Sequence, residues 1–292
     1  MNNNYLKRMA YACLLMLSLA PIEILAQCYQ VAACDWMMLK RQKLGEFQLA
    51  KDIGADGVEM DMGPLGQREQ FDNKLREPEF QQRFPRTADS LGIQVPSVAM
   101  SGFFAQSLLK RENYRELMAD CLQTMRWMKS GVAFLPLGGS GNDWKDAGSD
   151  DHREMVSRLR EVGRMAAEAG VTVGIRTGLD ARQTLALLQE VGSENVEAYY
   201  NLQDAVDQHL DPAAELQTLG REHICQIHAS LTDSVTLDRD PRIDLPRVRQ
   251  TLDAMGWTGW LVVERSRNAK DVRNVRGNFG TNVAYLKAVF QN

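Results

Sequence analysis

The sequence predicts an α/β protein built as a single (β/α)8 TIM barrel, and three observations lead to this fold class. The chain has 292 residues, of which 44% are hydrophobic, and this is enough for one large core. Short segments rich in Val, Ile and Ala alternate with longer segments of helical periodicity, and this alternation occurs eight times. No linker rich in Pro, Ser or Gly divides the chain.

Each predicted strand is followed by a predicted helix. In chain order the strands are VAACDW (31–36), GVEMDM (57–62), VPSVAMS (95–101), VAFLPLGG (132–139), VTVGIR (171–176), EAYYNLQ (197–203), ICQIHAS (224–230) and WLVVERS (260–266). The helices are Gly45–Ile53, Leu75–Leu91, Arg111–Lys129, Asp151–Ala169, Ala181–Val191, Pro212–Leu219, Pro246–Met255 and Thr281–Phe290. In "SLGIQV", "KSGVAF" and "EAGVTV" a glycine ends the helix and the next strand begins at once. A doubly wound sheet is the alternative, but no GxGxxG or GxxxxGK[ST] motif supports it.

The N-terminal residues differ from the rest of the chain. "MNNNYLKRM" is positively charged, "AYACLLMLSLA" is apolar, and Ala26 ends a segment suited to cleavage, so we expect a signal peptide over residues 1–26 and a barrel domain over 27–292. A membrane anchor is the weaker alternative because Pro21 and Glu23 interrupt a short apolar run. Cys28 leaves lipid attachment as a minor option. The expected location is periplasmic or extracellular.

Charge and cysteine content restrict the possible partners. A net charge of -4, with 34 basic and 38 acidic residues intermixed, argues against nucleic acid as a partner. Nothing beyond the signal peptide suggests a membrane partner, and homo-oligomerisation stays open. The cysteines outside the predicted signal peptide form no CxxC pair, which favours buried apolar roles over zinc or redox chemistry.

Most of the predicted strands end in a polar residue. In a barrel the carboxyl ends of the strands carry the chemistry, so these residues are the candidates for a site. A single carboxylate at a strand end can equally cap a helix or pair with a neighbour, and only the whole set indicates a site. The set comprises Asp35, Glu59, Asp61, Ser101, Arg176, Asn201, Gln203, His228 and Glu264.

Several segments resemble the sugar phosphate isomerase/epimerase family of xylose-isomerase-like TIM barrels, in a secreted bacterial branch. They include "GVEMDMGPLGQREQFDNKL", "SVAMSGFFAQSL", "FLPLGG", "GVTVGIRTGLDA", "QIHASLTD" and "GWLVVERSRNAKDVRNVRGNFGTNVAYLK". The resemblance extends from about Val31 to Phe290. It is specific for the fold and superfamily and much less specific for the substrate.

The resemblance implies a divalent metal (Mn, Mg, Co or Zn) held by carboxylates from strands five and six, a histidine from strand seven and a glutamate from strand eight. It also implies that the glutamates of strands five and eight move a proton next to a sugar carbonyl. His228 and Glu264 match this pattern, whereas Arg176 replaces the strand-five glutamate and Asn201 replaces an aspartate. Any metal would have His228, Glu264 and Asn201 as ligands, and a cation beside them makes that site doubtful.

Arg176 has three possible roles. It can replace the metal by binding a substrate carbonyl or carboxylate, it can pair with Glu264 and close an inert site, or it can point outward. The loop after strand eight, with Arg265, Arg267, Lys270, Arg273 and Arg276, can bind an anion. These residues can instead pair with acidic residues of the loop after strand seven, which are Asp233, Asp238, Asp240 and Asp244, and this pairing is the favoured interpretation for most of the arginines.

Aromatic and histidine residues complete the candidates. Trp36, Phe103, Phe104 and Trp144 follow strand ends and can form an apolar wall for a sugar ring. His152, His209 and His223 are expected at the surface.

The sequence thus predicts a small-molecule carbohydrate or keto-sugar as substrate. Glu264 is the expected general base, and His228 is a ligand or proton-transfer partner. Asp35, Glu59, Ser101, Arg176, Asn201, Gln203, Asp233 and Arg267 are expected to bind the substrate. The alternatives are a non-catalytic carbohydrate-binding barrel, or a lyase or hydrolase of oxidised glycosides that needs only one base.

Overall fold

Eight parallel strands pair in chain order and close on themselves in the computed structural model, which describes residues 29–292. Closure is made by the first and last strands, where Ala33 lies opposite Val263. The strands are β1 (Tyr29–Cys34), β2 (Gly57–Asp61), β3 (Ser97–Ala99), β4 (Val132–Pro136), β5 (Thr172–Arg176), β6 (Val196–Asn201), β7 (Ile224–His228) and β8 (Gly259–Val263). The closed barrel confirms the predicted fold class.

Helices follow the strands and cover the outside of the barrel. They are α1 (Gly45–Asp52), α2 (Pro78–Leu91), α3 (Tyr114–Met128), α4 (Asp150–Ala169), α5 (Ala181–Val191), α6 (Leu202–Asp207), α7 (Pro212–Leu219), α8 (Leu245–Met255) and α9 (Val275–Phe290). Glycines with positive φ terminate several of them, and Gly92 and Gly170 do so at the predicted helix-to-strand turns.

Two helices depart furthest from the sequence prediction, whereas the predicted helices that start at Leu75 and Arg111 begin three residues later, at Pro78 and Tyr114. Helix α6 begins at Leu202, so the sixth strand ends at Asn201 and not at Gln203. The side chain of Asn201 accepts the first free backbone N–H groups and starts this helix directly. Helix α9 begins six residues before the predicted Thr281, because Asn274 caps it by accepting from the backbone N–H of Gly277. The first part of this helix is not recognisable in the sequence because Gly277 and Gly280 lie in it and glycine has low helix propensity.

The strand register brings the polar strand ends to one level. Arg176 lies opposite Pro136, Asn201 lies opposite His228, and His228 lies opposite Val262, the residue two positions before Glu264. Since the strands are parallel, their carboxyl ends meet at the same opening of the barrel. We call this opening, lined by Arg176, Asn201, His228 and Glu264, the barrel mouth.

The barrel interior below the mouth is packed with aromatic and small side chains, together with a few polar ones. Phe134, Tyr199 and Val262 form a cluster there with Ala32, Cys34, Trp36 and Ala99. Glu59 and His228 are fully buried beside this cluster. Their burial requires internal hydrogen-bond partners, because an unpaired polar group away from water is costly.

The predicted signal peptide, residues 1–26, and Cys28 lie outside the described residues, so export stays a prediction. Within residues 29–292, no helix is both long enough and apolar enough to cross a membrane.

Candidate functional site

Arg176 and Glu264 form an ion pair across the barrel mouth. Nη1 of Arg176 lies 3.3 Å from Oε2 of Glu264. The same guanidinium donates two further hydrogen bonds to Asp204, from Nε to Oδ2 at 2.9 Å and from Nη2 to Oδ1 at 2.6 Å. Of the three roles considered for Arg176, the outward orientation is therefore wrong, and its charge lies next to the predicted general base.

The guanidinium of Arg176 stays cationic. Burial by itself would lower its pKa, but the hydrogen bonds that it donates to Asp204 and the charges of Glu264, Asp204 and Asp207 raise the pKa above its ordinary value. Only 15% of the side chain is exposed. The mouth thus holds a fixed positive charge in a partly desolvated place, where a charge-assisted hydrogen bond to a ligand is strong.

His228 is held from below by Glu59. Its Nε2 lies 2.7 Å from Oε1 of Glu59, and both side chains are fully buried. The other oxygen of Glu59 accepts from the hydroxyl groups of Ser97 (2.7 Å) and Tyr199 (2.6 Å). Glu59 therefore holds a histidine inside the barrel, whereas the sequence interpretation had it binding substrate.

The second ring nitrogen of His228 faces the mouth. Nδ1 lies 3.9 Å from Oε2 of Glu264 and 3.4 Å from Nδ2 of Asn201. Oδ1 of Asn201 is already used, because it accepts from the backbone N–H groups of Gln203 (2.9 Å) and Asp204 (3.3 Å). Asn201 consequently presents an amide N–H group to the mouth, and its oxygen is not available as the predicted metal ligand.

Two of the four predicted wall aromatics lie at the mouth. The ring of Trp36 packs 6.4 Å from that of His228, and Cζ of Arg176 lies 5.3 Å from the ring centroid of Phe104. Phe103 is buried against Phe71, and Trp144 is buried under Lys145. Phe104 therefore presents an exposed aromatic ring beside the mouth, and Trp36 lies largely buried against His228.

The strand-end carboxylates of β1 and β2 organise neighbouring loops. Asp35 accepts from the backbone N–H groups of Gln42 (2.8 Å) and Asp61 (3.1 Å). Asp61 accepts from the backbone N–H group of Ser101 (3.1 Å) and lies 2.7 Å from Nε of Arg41. Asp35 and Asp61 are fully buried. Their geometry supports a loop-anchoring role for these residues, and not the substrate contact expected of Asp35 and Ser101.

Burial changes the protonation of these carboxyl groups. Desolvation and the nearby charge of Asp61 raise the pKa of Asp35 to about 8. Desolvation also raises the pKa of Asp61 to about 6, against the opposing charge of Arg41. Glu46 from α1 is buried beside Asp35, and burial together with the charge of Asp35 raises its pKa well above the ordinary value. Asp35 and Glu46 together therefore retain at least one proton near neutral pH.

The loops after β7 and β8 are joined through Arg267, whereas Arg276 pairs with Asp52 of α1, so the predicted pairing between these loops is seen for one of the arginines considered. Arg267 makes a bidentate pair with Asp233, and its backbone N–H group donates to the same carboxylate. A short bridge between Ser234 and Asn268 continues the pairing. Asp233 and Arg267 therefore pair their charges and hydrogen-bonding groups with each other. Their contact with a substrate stays a prediction.

Gln203 and His152 differ from their predicted surroundings. Gln203 lies in α6 and donates from Nε2 to Asp207 (3.2 Å), so it is not a strand-end residue. His152 is buried, contrary to the expected surface role. Its Nδ1 contacts the carbonyl oxygen of Trp144 (2.8 Å) and its Nε2 contacts Glu190 (3.1 Å), which ties the loop after β4 to helices α4 and α5.

The residues at the mouth do not fit a divalent metal. A cation occupies the strand-five position 3.3 Å from the one carboxylate that faces the mouth from β8, and the oxygen of Asn201 is used by a helix cap. Throughout residues 29–292, no group of three or more His, Cys, Asp or Glu side chains is arranged to hold a metal ion. Metal chemistry therefore enters none of the steps proposed below.

Sequence reasoning missed Asp204, Ser97 and Tyr199. The signal for Tyr199 is the two-residue period of a strand, which places it on the same face as Asn201, towards the barrel interior. By the same two-residue period, Ser97 lies on the same face of β3 as Ala99. Asp204 had no comparable signal, because the short helix that carries it was not predicted.

These features define a (β/α)8 barrel protein. The polar groups at the carboxyl ends of its strands are a guanidinium, a carboxylate, an amide and an imidazole. The chain belongs to the family described as xylose isomerase-like TIM barrel, whose model matches residues 47–288. This confirms the predicted family resemblance. A comparison with curated proteins found no match.

Solved structures similar to the chain share its fold. A xylose isomerase domain protein from Planctomyces limnophilus is 16% identical, with 90% of this chain and 96% of that one covered and a TM-score of 0.67. A D-psicose 3-epimerase from Clostridium cellulolyticum H10 is 14% identical (89% and 99% covered, TM-score 0.70). A 3-keto-D-glucoside 4-epimerase from E. coli is 14% identical (89% and 100% covered, TM-score 0.68).

Proposed function

We propose that the protein binds a carbohydrate containing a carbonyl group at the barrel mouth and removes a proton from the neighbouring carbon. Glu264 is the base, and Arg176 is the electrophile that binds the carbonyl oxygen. The observation that carries the proposal is the 3.3 Å pair between Nη1 of Arg176 and Oε2 of Glu264 at the carboxyl ends of the strands.

The chemistry follows from this pair. Removing a proton next to a carbonyl leaves negative charge on the carbonyl oxygen, and a fixed cation beside that oxygen stabilises the transition state. Asp204 fixes the guanidinium through two hydrogen bonds, so little reorganisation is needed when this charge develops. Arg176 thus supplies the positive charge that the family pattern assigns to a metal.

The substrate class follows from the walls of the mouth and from the family. Trp36 and Phe104 provide apolar faces, and Asn201, Arg176 and His228 provide polar groups. The similar structures include epimerases of D-psicose and of a 3-keto-D-glucoside. Ketohexoses and keto-glycosides are therefore the compounds to test first.

The test is exchange of the substrate's carbon-bound proton with deuterium in D₂O, followed by NMR for a panel of ketohexoses and 3-keto-glycosides. This readout detects proton abstraction whether the reaction ends in isomerisation, epimerisation or elimination, and the spectra of the products separate these outcomes. We expect exchange with the wild type and a loss of about 10² or more in Glu264→Gln, with binding within roughly tenfold.

Glu168→Gln is the matched control, because Glu168 is an exposed residue of α4 paired only with Arg164. Its exchange rate should equal that of the wild type. Exchange by Glu264→Gln at the wild-type rate would contradict the assignment of Glu264 as the base.

A non-catalytic carbohydrate-binding barrel is the second candidate, and one observation favours it. The pairing with Arg176 leaves the side chain of Glu264 only 6% exposed, which is the arrangement expected of a closed site. Saturable sugar binding without deuterium exchange on any compound of the panel would favour this candidate over catalysis.

A further inference from the structure

We propose that a groove beside the barrel mouth binds a second sugar ring of the substrate, and that the exposed ring of Phe104 is its main contact. The groove lies between the loops after β3 and β4, and we call it the side groove. The protein then prefers glycosides of two rings to free ketohexoses. That this ring belongs to a substrate rests on the proposed function, whereas binding of a sugar ring in the side groove does not.

The side groove is large enough for a sugar ring. Its walls are Phe104 from the loop after β3 and residues 137–139 and 142–146 from the loop after β4, and its volume is about 520 Å³. Pockets of roughly 300–1,000 Å³ are typical of small-molecule sites. A pyranose ring therefore fits in the side groove.

Backbone packing between the two loops holds the side groove in shape. The N–H group of Gly139 donates to the carbonyl oxygen of Phe104 at 3.2 Å. A Cβ atom added at Gly138 would lie 2.4 Å from that same oxygen, and one added at Gly139, where φ is +82°, would lie 2.5 Å from the backbone nitrogen of Ser107. Glycine is the residue that allows two backbones to approach so closely. The backbone of Phe104 is thus held in place before a ligand binds.

Phe104 connects the side groove with the barrel mouth. It is 37% exposed, and among the large apolar residues of the described range 29–292 only Leu39 and Val272 are as exposed or more so. Its ring centroid lies 5.8 Å from that of Phe134 and 5.3 Å from Cζ of Arg176. The negative face of an aromatic ring attracts the C–H groups of a sugar. A ligand bound to Arg176 through its carbonyl group can consequently place an adjoining ring on Phe104.

Carboxylates on the loop after β4 suit the hydroxyl groups of a sugar ring. Asp143 and Asp146 line the side groove and are exposed. Oδ1 of Asp146 accepts from the backbone N–H group of Gly148 (3.0 Å), whereas the carboxylate of Asp143 has no hydrogen-bond partner within residues 29–292. A pyranose carries C–H groups on its faces and hydroxyl groups on its edge, which matches an aromatic face with acceptors nearby. The side groove therefore suits a sugar ring better than an apolar aglycone.

The first experiment is isothermal titration of the Glu264→Gln protein, which does not turn over its ligands, with three 3-keto-glucosides. The group on their anomeric oxygen is methyl, cyclohexyl or a second glucose ring. We expect the two-ring compound to bind about tenfold or more tightly than the methyl compound, and more tightly than the cyclohexyl compound. Equal binding of the methyl and two-ring compounds, or tightest binding of the cyclohexyl compound, would overturn the proposal.

Variants made in the same Glu264→Gln protein show whether the side groove causes the preference. Phe104→Ala should lose most of it, with the affinity for the methyl compound within about threefold, and Asp143→Ala should lose part of it while Phe104 stays intact. Val272→Ala is the matched control, because Val272 is as exposed as Phe104 and lies outside the side groove. An unchanged preference in Phe104→Ala, or an equal loss in Val272→Ala, would contradict the assignment of Phe104.

The second experiment does not depend on a carbonyl group. Wild-type protein with ¹³C-labelled phenylalanine is titrated by NMR with methyl cellobioside, and Phe104→Leu identifies the ring resonances of Phe104. We expect these resonances to shift saturably at ligand concentrations up to about 10 mM. Unshifted resonances would overturn the side groove as a sugar site. If Phe104 responds to methyl cellobioside while no keto compound exchanges deuterium or binds at the mouth, the proposed function fails and the side groove remains a sugar site.

Discussion

At the scale of single residues, Arg176 determines the chemistry of the mouth. It occupies a position where the family pattern places a metal-binding glutamate, and it pairs with Asp204 and Glu264. Its positive charge repels a divalent cation and attracts the oxygen of a carbonyl group. In the proposed reaction, this one substitution replaces the electrophile of the site.

We predict that the wild type binds Mn²⁺, Co²⁺ or Zn²⁺ weakly at the mouth, and that Arg176→Glu combined with Asn201→Asp binds the same metal at least about 10²-fold more tightly. The double change removes a cation and adds oxygen donors beside His228 and Glu264. Isothermal titration of both proteins after chelator treatment measures the difference. Tight stoichiometric binding by the wild type would show that Arg176 leaves the site.

We expect Asp204 to affect the reaction by orienting Arg176. In the described contacts Asp204 does not itself face Glu264. We predict that Asp204→Asn lowers the deuterium-exchange rate by about tenfold or more, since one charged acceptor of the guanidinium is lost and its orientation with it. The affinity for the sugar should change less than the rate. Asp207→Asn is the control, because the charge of Asp207 also acts on Arg176 while its described hydrogen-bond partners are Gln203 and Thr232. A loss equal to that of Asp204→Asn would therefore argue against orientation as the cause.

At the scale of elements, the segment between β1 and α1 depends on buried acids. Asp35 accepts a hydrogen bond from the backbone N–H group of Gln42, and Glu46 of α1 is buried beside Asp35. The segment also carries Trp36, which packs on His228. The protonation of these carboxyl groups therefore affects the stability of a wall of the mouth.

The free energy of unfolding should fall as the pH rises from about 4 to about 8. The folded protein keeps a proton that the unfolded chain releases, because the pKa of Asp35 is raised from 3.8 to about 8 by desolvation and by the charge of Asp61. We expect a decrease of roughly 1–3 kcal/mol between about pH 5.5 and 8.5, measured by denaturant unfolding.

The matched variant is Glu46→Gln. The amide group that this substitution introduces can donate a hydrogen bond to Asp35 and does not titrate. The free energy of unfolding of the variant should therefore depend less on pH than that of the wild type. An unchanged pH dependence in Glu46→Gln would place the titrating group elsewhere.

At the scale of the whole molecule, closure of the barrel requires close approach of strands at a few interior positions. A Cβ atom added at Gly174 on β5 would lie 2.5 Å from Sγ of Cys225 on β7 and 2.9 Å from the ring of Tyr199 on β6. Because Gly174 has no side chain, the ring of Tyr199 can occupy this space below the mouth.

We predict that Gly174→Val destabilises the fold by at least about 1–3 kcal/mol, because overpacking a closed interior forces strands or side chains apart. Gly131→Val is the matched control. Gly131 lies just before β4 and has no atom within 4 Å of an added Cβ, so its change should be smaller. Comparison of their thermal unfolding midpoints tests the prediction, and equal losses would indicate a backbone effect instead of interior packing.

The sequence by itself determined the fold class, the eight strands and the candidates His228, Glu264, Arg176 and Asn201. These depend on local information: strand and helix periodicity, glycines at helix ends, and polar residues at the ends of apolar segments. The predicted export signal also belongs to this local information.

Only the tertiary structure decided what each candidate touches. Glu59 lies 169 residues from His228 along the chain and Asn201 lies 27 residues away, and closure of the barrel brings both to the same imidazole. The pairing of Arg176 with Asp204 required a short helix that begins at the cap made by Asn201. The roles of these residues thus depend on strand register and barrel closure, which bring together side chains that no local pattern connects.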